Sequence, residues 1–192
     1  MDPINIIIGI NILALFGANL DGARRGLKSS VAEVKEKPKS WLQKNPPALA
    51  ALILFAQILG VFSIGNLVAP EGSEALRYSG LAVYLIFSWF QIYALRSLGK
   101  FYSQDIVILK KHELVTTGAY RFIRHPHYLG QLIADIGCGL ALFNIPVLLL
   151  VLPETVMLIM RAQKEESMIK KHFPDQFAAY RKKSGFMIPF IG

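Results

Sequence analysis

The stretch HELVTTGAYRFIRHPHYLG, His112 to Gly130, is a polar, basic segment lodged between apolar runs, and its reading decides the fold. Thr116-Thr117-Gly118 is a turn signal that breaks any helix there. Arg121, Arg124, His125, His127 and Tyr128 fall within eight positions. Pro126 suits the first turn of the apolar helix that follows, where its missing N–H is no loss. Polar groups therefore gather at a helix N-terminus, whose unpaired N–H groups attract anions, carboxylates included. Taken residue by residue, the same stretch also fits a juxtamembrane loop whose arginines meet lipid headgroups.

Outward from this segment the chain reads as a membrane protein. It has 192 residues, 53% of them hydrophobic, with a mean hydropathy of +0.41. That is too apolar for an ordinary soluble domain. Five apolar runs follow one another: Pro3–Leu20, Ala48–Ala69, Leu76–Leu98, Leu129–Phe143 and Val147–Met160. The last two are short, roughly 22 Å as helices against a hydrocarbon core of ~30 Å. The expected fold is all-α, a polytopic bundle of about five transmembrane helices. The first run lacks a basic flank and a clear cleavage site, so it reads as a retained helix rather than a signal peptide.

Twenty of the 21 Lys and Arg residues fall in three segments, Asp21–Asn45, Arg96–Arg124 and Arg161–Lys183. Arg77 is the exception. Five spans put all three basic segments and the C-terminus on the cytosolic face, with the N-terminus on the far side; four spans, without the first run, keep the basic segments together with the N-terminus inside. The same arithmetic explains the net charge of +8 without nucleic acid, for which no binding signature is present. The single cysteine, Cys138, excludes an intrachain disulfide. Asn5, Asn11, Asn19 and Gln57 lie within apolar runs and are expected to bond to neighbouring helices. Asp135 and Glu154 lie mid-span, and two readings stand: functional groups, or carboxyls neutralised or bonded to Asn and Gln neighbours.

A second polar block, Arg161-Ala-Gln-Lys-Glu165-Glu166, follows the fifth run. After it, Met168, Ile169, Phe173, Phe177 and Tyr180 form one apolar stripe at helical spacing. His125 and His127 are two positions apart and do not share a helical face, so metal binding is disfavoured.

The two blocks together resemble the isoprenylcysteine carboxyl methyltransferase family of membrane enzymes. Leu114-Val115-Thr116-Thr117-Gly118-Ala119-Tyr120 followed by Arg124-His125-Pro126-His127-Tyr128-Leu129-Gly130 matches its cofactor motif. Arg161 with Glu165-Glu166 and the aromatic helix beyond matches its second block. The resemblance covers about Leu98 to Ile191. It departs from the family pattern at Pro174, where a glycine is usual, and at Phe177, where a tyrosine is usual.

The resemblance implies S-adenosyl-L-methionine as cofactor, held in a cytosolic pocket built from the C-terminal half. Residues 1–95 would form N-terminal transmembrane helices with a basic loop, and 96–192 the methyltransferase core. Glu165, supported by Glu166, would hold the cofactor's amino group. The helix start at Arg124, His125, Pro126, His127 and Tyr128 would face its carboxylate. Tyr120 and Tyr128 would flank the adenosine, and His112, Glu113, Leu114 and Val115 would give edge contacts. Arg161 would orient the acceptor. The implied partners are a lipophilic or lipidated substrate and membrane lipids. A prenylcysteine carboxylate leads as acceptor, with phospholipid amines and small thiols as alternatives. Outside the class stand a nicotinamide-dependent sterol-type reductase and a non-enzymatic membrane scaffold.

Overall fold

The computed structural model describes residues 2–30, 34–110 and 112–192, with side chains at all of these except 19–30 and 100. Six helices carry the architecture: α1 (Pro3–Ser30), α2 (Asn45–Val61), α3 (Glu74–Leu98), α4 (Pro126–Leu142), α5 (Ile145–His172) and α6 (Pro174–Arg181). The all-α expectation needs one addition. A short antiparallel ribbon joins β1 (Val34–Glu36) to β2 (Ile108–Leu109). The β-branched run Ile106–Leu109 suits an extended, half-covered surface, which explains the pairing.

Among the described residues three segments are long and apolar enough to cross a membrane: Trp41–Val61, Glu74–Leu98 and Ile145–His172. Pro3–Ala18 is a shorter apolar helix. The 17 residues of α4 reach about 25 Å. Three of the expected spans thus meet the length criterion, with α4 and the apolar part of α1 packed among them.

Several boundaries differ from the sequence expectation for local reasons. The helix of α1 continues past Leu20 to Ser30. Helix α2 stops at Val61 rather than Ala69. Beyond it Ser63 and Gly65 adopt positive φ, 64° and 80°, and the Asn66 amide donates to the Gly60 carbonyl at 2.9 Å, turning the chain back. Helix α5 does not end near Met160. It runs 28 residues, about 42 Å, longer than a ~30 Å hydrocarbon core, and its last turns carry Arg161, Glu165 and Glu166. Pro153 lies inside α5 without ending it. The expected aromatic stripe is split between two helices. Proline at 174 cannot continue α5 but can start α6, and the break falls at Phe173. The stripe still faces inward, with Met168, Phe177 and Tyr180 buried.

The central packing event is α3 against α4, and it is made by glycines. A Cβ at Gly137 would lie 2.7 Å from the Tyr84 nitrogen, and one at Gly80 would lie 2.8 Å from the Ala141 nitrogen. Gly130 approaches the backbone of Gln91 in the same way. In lipid, where apolar side chains gain little by leaving their solvent, such close backbone approach supplies much of the association energy. Gly137→Val is therefore expected to cost about 1–3 kcal/mol by overpacking. Thermal unfolding in detergent reads it as a lowered midpoint, while Gly17→Val, in open space on α1, leaves the midpoint unchanged.

One end of the bundle is tied by amides. The Asn5 amide reaches the Val61 carbonyl at 3.1 Å, and the Asn144 amide reaches Ile64 and Asn66. Deeper, the Asn11 amide donates to Ser88 and its oxygen accepts from Trp89. Arg77, the basic residue outside the three clusters, pairs with Asp2 at 2.6 Å at this same end. The side chain of Asn19 lies outside the described residues. The opposite end holds the polar site.

Candidate functional site

Gly118 takes φ 60°, and its Cβ position is filled by Ser97, so only glycine makes this turn closely against α3. The turn delivers Tyr120 into the interior and starts the climb to α4. Pro126 sits at the first turn of α4, and no side chain among the described residues caps that helix. The N–H groups of His127 and Tyr128 are therefore left for an acceptor from outside the helix.

The segment before α4 is held by the C-terminal tail. The Arg124 N–H donates to the Gly185 carbonyl at 2.9 Å and the His125 N–H to Phe186 at 3.1 Å, while the Gly185 N–H returns to Phe122. A Cβ at Gly185 would fall 1.7 Å from the Ile188 carbonyl oxygen, so no other residue fits that turn. Tyr180 of α6 donates its hydroxyl to the Tyr120 carbonyl at 2.6 Å. Neither tie shows in the spacing of the motif itself.

Against this segment stands the last part of α5. Arg124 donates to Glu166 at 2.6 Å and also to the carbonyls of Ser184 and Gly192. His125 lies 3.3 Å from Glu166 through Nε2 and 3.7 Å from Glu165 through Nδ1. The Tyr128 hydroxyl donates to Glu165 Oε1, and Arg161 donates to both, at 2.8 Å and 3.3 Å. The two sequence blocks, about 40 positions apart in the chain, form one hydrogen-bonded cluster.

The cluster floors a cavity of about 160 Å³. Of the residues singled out from sequence, His112, Glu113, Leu114, Val115, Tyr120, Arg124, His125, His127, Tyr128, Glu165 and Glu166 line it. Pro126 does not line it; it is buried as the first residue of α4. Arg161 does not line it either. Its guanidinium is 6% exposed and is spread over Tyr128, Glu165 and the carbonyls of Leu42 (3.2 Å) and Gln104 (2.5 Å). It thereby fastens two loops onto α5.

Those loops form a wall the motif does not predict. Residues 101–103 and 105–108 line the cavity. The wall is pinned by Gln43, whose amide donates to the Ile106 carbonyl and accepts from the Ile106 N–H, both at 2.9 Å. Behind the wall Leu42, Ile106, Ile108 and Met168 pack as a buried apolar cluster. The signal for this wall was the apolar run Ile106–Leu109; nothing in the sequence around Leu42 or Gln43 marks them as its supports.

Several lining groups have capacity left for a ligand. The Nδ1 atoms of His112 and His127 are buried without a hydrogen-bond partner among the described residues. Glu165 lines the cavity and remains a quarter exposed, its second oxygen making only a 3.7 Å contact with His125. Burial, with a smaller push from the charge on His172, holds the His112 imidazole below its ordinary 6.5, so it is neutral at pH 7. Burial likewise pushes the Tyr120 and Tyr102 phenols up, keeping both protonated. The cavity thus combines the Glu165 carboxylate, neutral aromatic walls and a helix N-terminus.

The His112 shift has a pH consequence. Below pH 6.5 the unfolded chain protonates this imidazole while the folded chain resists, so stability falls with acidity. His112→Phe keeps the ring contacts with Phe101 and Phe173 and removes the titration. The expected result is a smaller drop in unfolding midpoint between neutral and mildly acidic buffer for the variant than for the parent.

Comparison with known proteins now bears on this geometry. The model of the isoprenylcysteine carboxyl methyltransferase family matches residues 80–171. The protein-S-isoprenylcysteine O-methyltransferase of Schizosaccharomyces pombe is 31% identical over 62% of this chain and 57% of its own length. That of Tribolium castaneum is 37% identical over 42% of this chain and 29% of its own, and that of Rattus norvegicus 29% identical over 68% and 48%. The chain spans about half the length of the curated relatives it matches. The solved structure of a eukaryotic intramembrane Ras methyltransferase, an isoprenylcysteine carboxyl methyltransferase, superposes with a TM-score of 0.62 at 22% identity. That alignment covers all of this chain and 69% of the other, and it establishes a shared fold.

Proposed function

We propose that this chain is a member of the isoprenylcysteine carboxyl methyltransferase family, an integral-membrane methyltransferase that uses S-adenosylmethionine and acts on a lipophilic acceptor. The acceptor favoured is the carboxylate of a prenylcysteine-like substrate. The observation that carries the reading is the joining of Tyr128 and His125, at the start of α4, to Glu165 and Glu166 around one cavity.

The residues fit the cofactor. Glu165 has a carboxylate oxygen free to accept from an ammonium. The uncapped N–H groups of α4 suit a carboxylate. The orphaned Nδ1 of neutral His112 suits a donor on a heteroaromatic ring, and Phe101 and Phe173 flank that imidazole. When bound, the cofactor supplies a methyl group on a positively charged sulfur.

Transfer to a carboxylate forms a C–O bond and breaks a C–S bond, with the electron pair left on sulfur. Opposite charges meet and vanish, so a site with little water favours the reaction. No proton moves, and no base is required of His125 or His127. The chain's task is alignment. Glu165 anchors the cofactor's ammonium, Glu166 with Arg124 holds His125 in place, and Arg161, bonded to Tyr128, Glu165 and the carbonyls of Leu42 and Gln104, keeps Tyr128 and Glu165 in their mutual geometry. In the same reading α1 and α4 also cross the membrane, and the cavity end with its basic segments is cytosolic.

Purified protein, radiolabelled cofactor and a lipid extract containing prenylcysteine test the acceptor. Label released as methanol by alkali identifies a methyl ester; alkali-stable label assigns an N- or S-methyl product instead. Calorimetric titration with S-adenosylhomocysteine and with NADPH tests the cofactor, and heat with NADPH alone would replace this reading by a reductase.

A further inference from the structure

Helices α4 and α5 run antiparallel along a seam that carries two polar rungs. The upper rung is Tyr128 with Arg161, at 2.8 Å. The lower is Asp135 with Glu154: Gln131, one turn before Asp135 on α4, bonds Glu154, so the two carboxyls face each other across the seam. Tyr128 and Asp135 are seven positions apart on α4, and so are Glu154 and Arg161 on α5. Two turns of each helix separate the rungs, about 10 Å, and both lie on one seam.

The lower rung is braced from the other two helices. The Gln57 amide of α2 donates to Asp135 at 2.6 Å. Gln131 of α4 donates to Glu154 Oε1 at 2.6 Å and accepts from Gln91 of α3 at 3.4 Å. These bonds occupy one oxygen of Asp135 and one of Glu154. Glu154 is 2% exposed, yet its Oε2 has no donor among the described residues. A buried acceptor without a donor is costly, and two ionised carboxylates facing each other within a membrane core repel each other strongly. One proton between the two groups relieves both penalties, because it gives Oε2 its partner and removes one charge.

We propose that Asp135 and Glu154 hold one shared proton and act as positioning residues. Their bond fixes the register of α4 on α5 that brings Tyr128 to Arg161 and Glu165. An apolar seam would tolerate sliding by a turn; a buried polar pair does not, which is the best attested use of such pairs. The consequence for cofactor binding rests on the function proposed above, whereas the proton and the register do not.

Difference infrared spectroscopy of the purified protein tests the proton. The parent is expected to show the band of a protonated buried carboxyl, and Asp135→Asn and Glu154→Gln each to lose it. Spin labels at Leu132 of α4 and Gln163 of α5 test the register without any ligand. Glu154→Gln, whose amide N–H can take the proton's place, keeps the parent's distance distribution. Glu154→Ala broadens it or shifts it by about one helical turn, ~5 Å. S-adenosylhomocysteine affinity follows, within twofold of the parent in Glu154→Gln and at least tenfold weaker in Glu154→Ala. Absence of the carboxyl band in the parent overturns the shared proton. An unchanged distance distribution in Glu154→Ala overturns the register role. A parent that shows the band and the register change but binds no S-adenosylhomocysteine overturns the proposed function and leaves this inference standing.

Discussion

Glu165→Gln is expected to weaken S-adenosylhomocysteine binding about a hundredfold while the protein stays folded. The argument is one of charge at constant shape. Glutamine keeps an oxygen to accept from the Tyr128 hydroxyl and from Arg161, so the cluster that joins α4 to α5 survives. What disappears is the negative charge that faces the cavity. Removing one partner of a desolvated charge pair costs about 3 kcal/mol in binding, and 1.4 kcal/mol is a factor of ten. Glu166→Gln is the contrast. Glu166 is spent on Arg124 at 2.6 Å and His125 at 3.3 Å, so its loss lowers the unfolding midpoint more than it lowers affinity. Calorimetry and thermal unfolding on the two variants separate a ligand anchor from a structural one. Equal affinity losses would assign both glutamates the same role and count against this division.

Arg161→Lys is expected to lower turnover to below about a hundredth of the parent and to lower stability as well. The planar guanidinium serves the Leu42 and Gln104 carbonyls, the Tyr128 hydroxyl and Glu165 from one buried position. A lysine ammonium is a compact point charge and cannot match that fork. Two loop carbonyls are left without donors, at about 1–3 kcal/mol each, and the Phe101–Ile108 wall loses its tie to α5. Because the wall lines the cavity, affinity for S-adenosylhomocysteine falls as well. The measurement is a pair of steady-state series, varying cofactor and acceptor in turn, set beside the unfolding midpoint. If only the acceptor KM changes, Arg161 works on the acceptor alone. A fall in both affinities with a lowered midpoint is the pattern its four contacts predict.

The sequence made the site more legible than the architecture around it. Pro126 at a helix start, the turn at Gly118 and the glutamates beyond Arg161 each follow from local rules, and the cavity lies where they meet. The buried asparagines and Gln57 are bonded to neighbouring helices, as polar groups in an apolar run must be. Helix ends were harder to place. Hydropathy continues through Phe62–Ala69, but positive φ at Ser63 and Gly65 and the Asn66 bond end α2 at Val61. Polarity begins at Arg161, yet helical bonding carries α5 on to His172, because charged residues outside the core are good helix formers.

Other features depend on contacts between segments distant in sequence, which no local pattern encodes. Gln43 reaches Ile106, Gly185 pairs with the residues before α4, and Gly137 meets Tyr84 across the α3–α4 seam. Asp135 and Glu154 stood between two readings in sequence. Their partners, Gln57 and Gln131, identify them as a braced polar rung in the bundle.

The central claim is that one cavity, between the start of α4 and the last turns of α5, holds the methyl donor. An experimentally determined structure of the protein with S-adenosylhomocysteine tests it most directly. The account predicts the ligand's ammonium within hydrogen-bond distance of Glu165, its carboxylate at the N-terminus of α4 and its base beside His112. Density for the ligand at the opposite end of the bundle, beside Asn144 and Arg77, would contradict it.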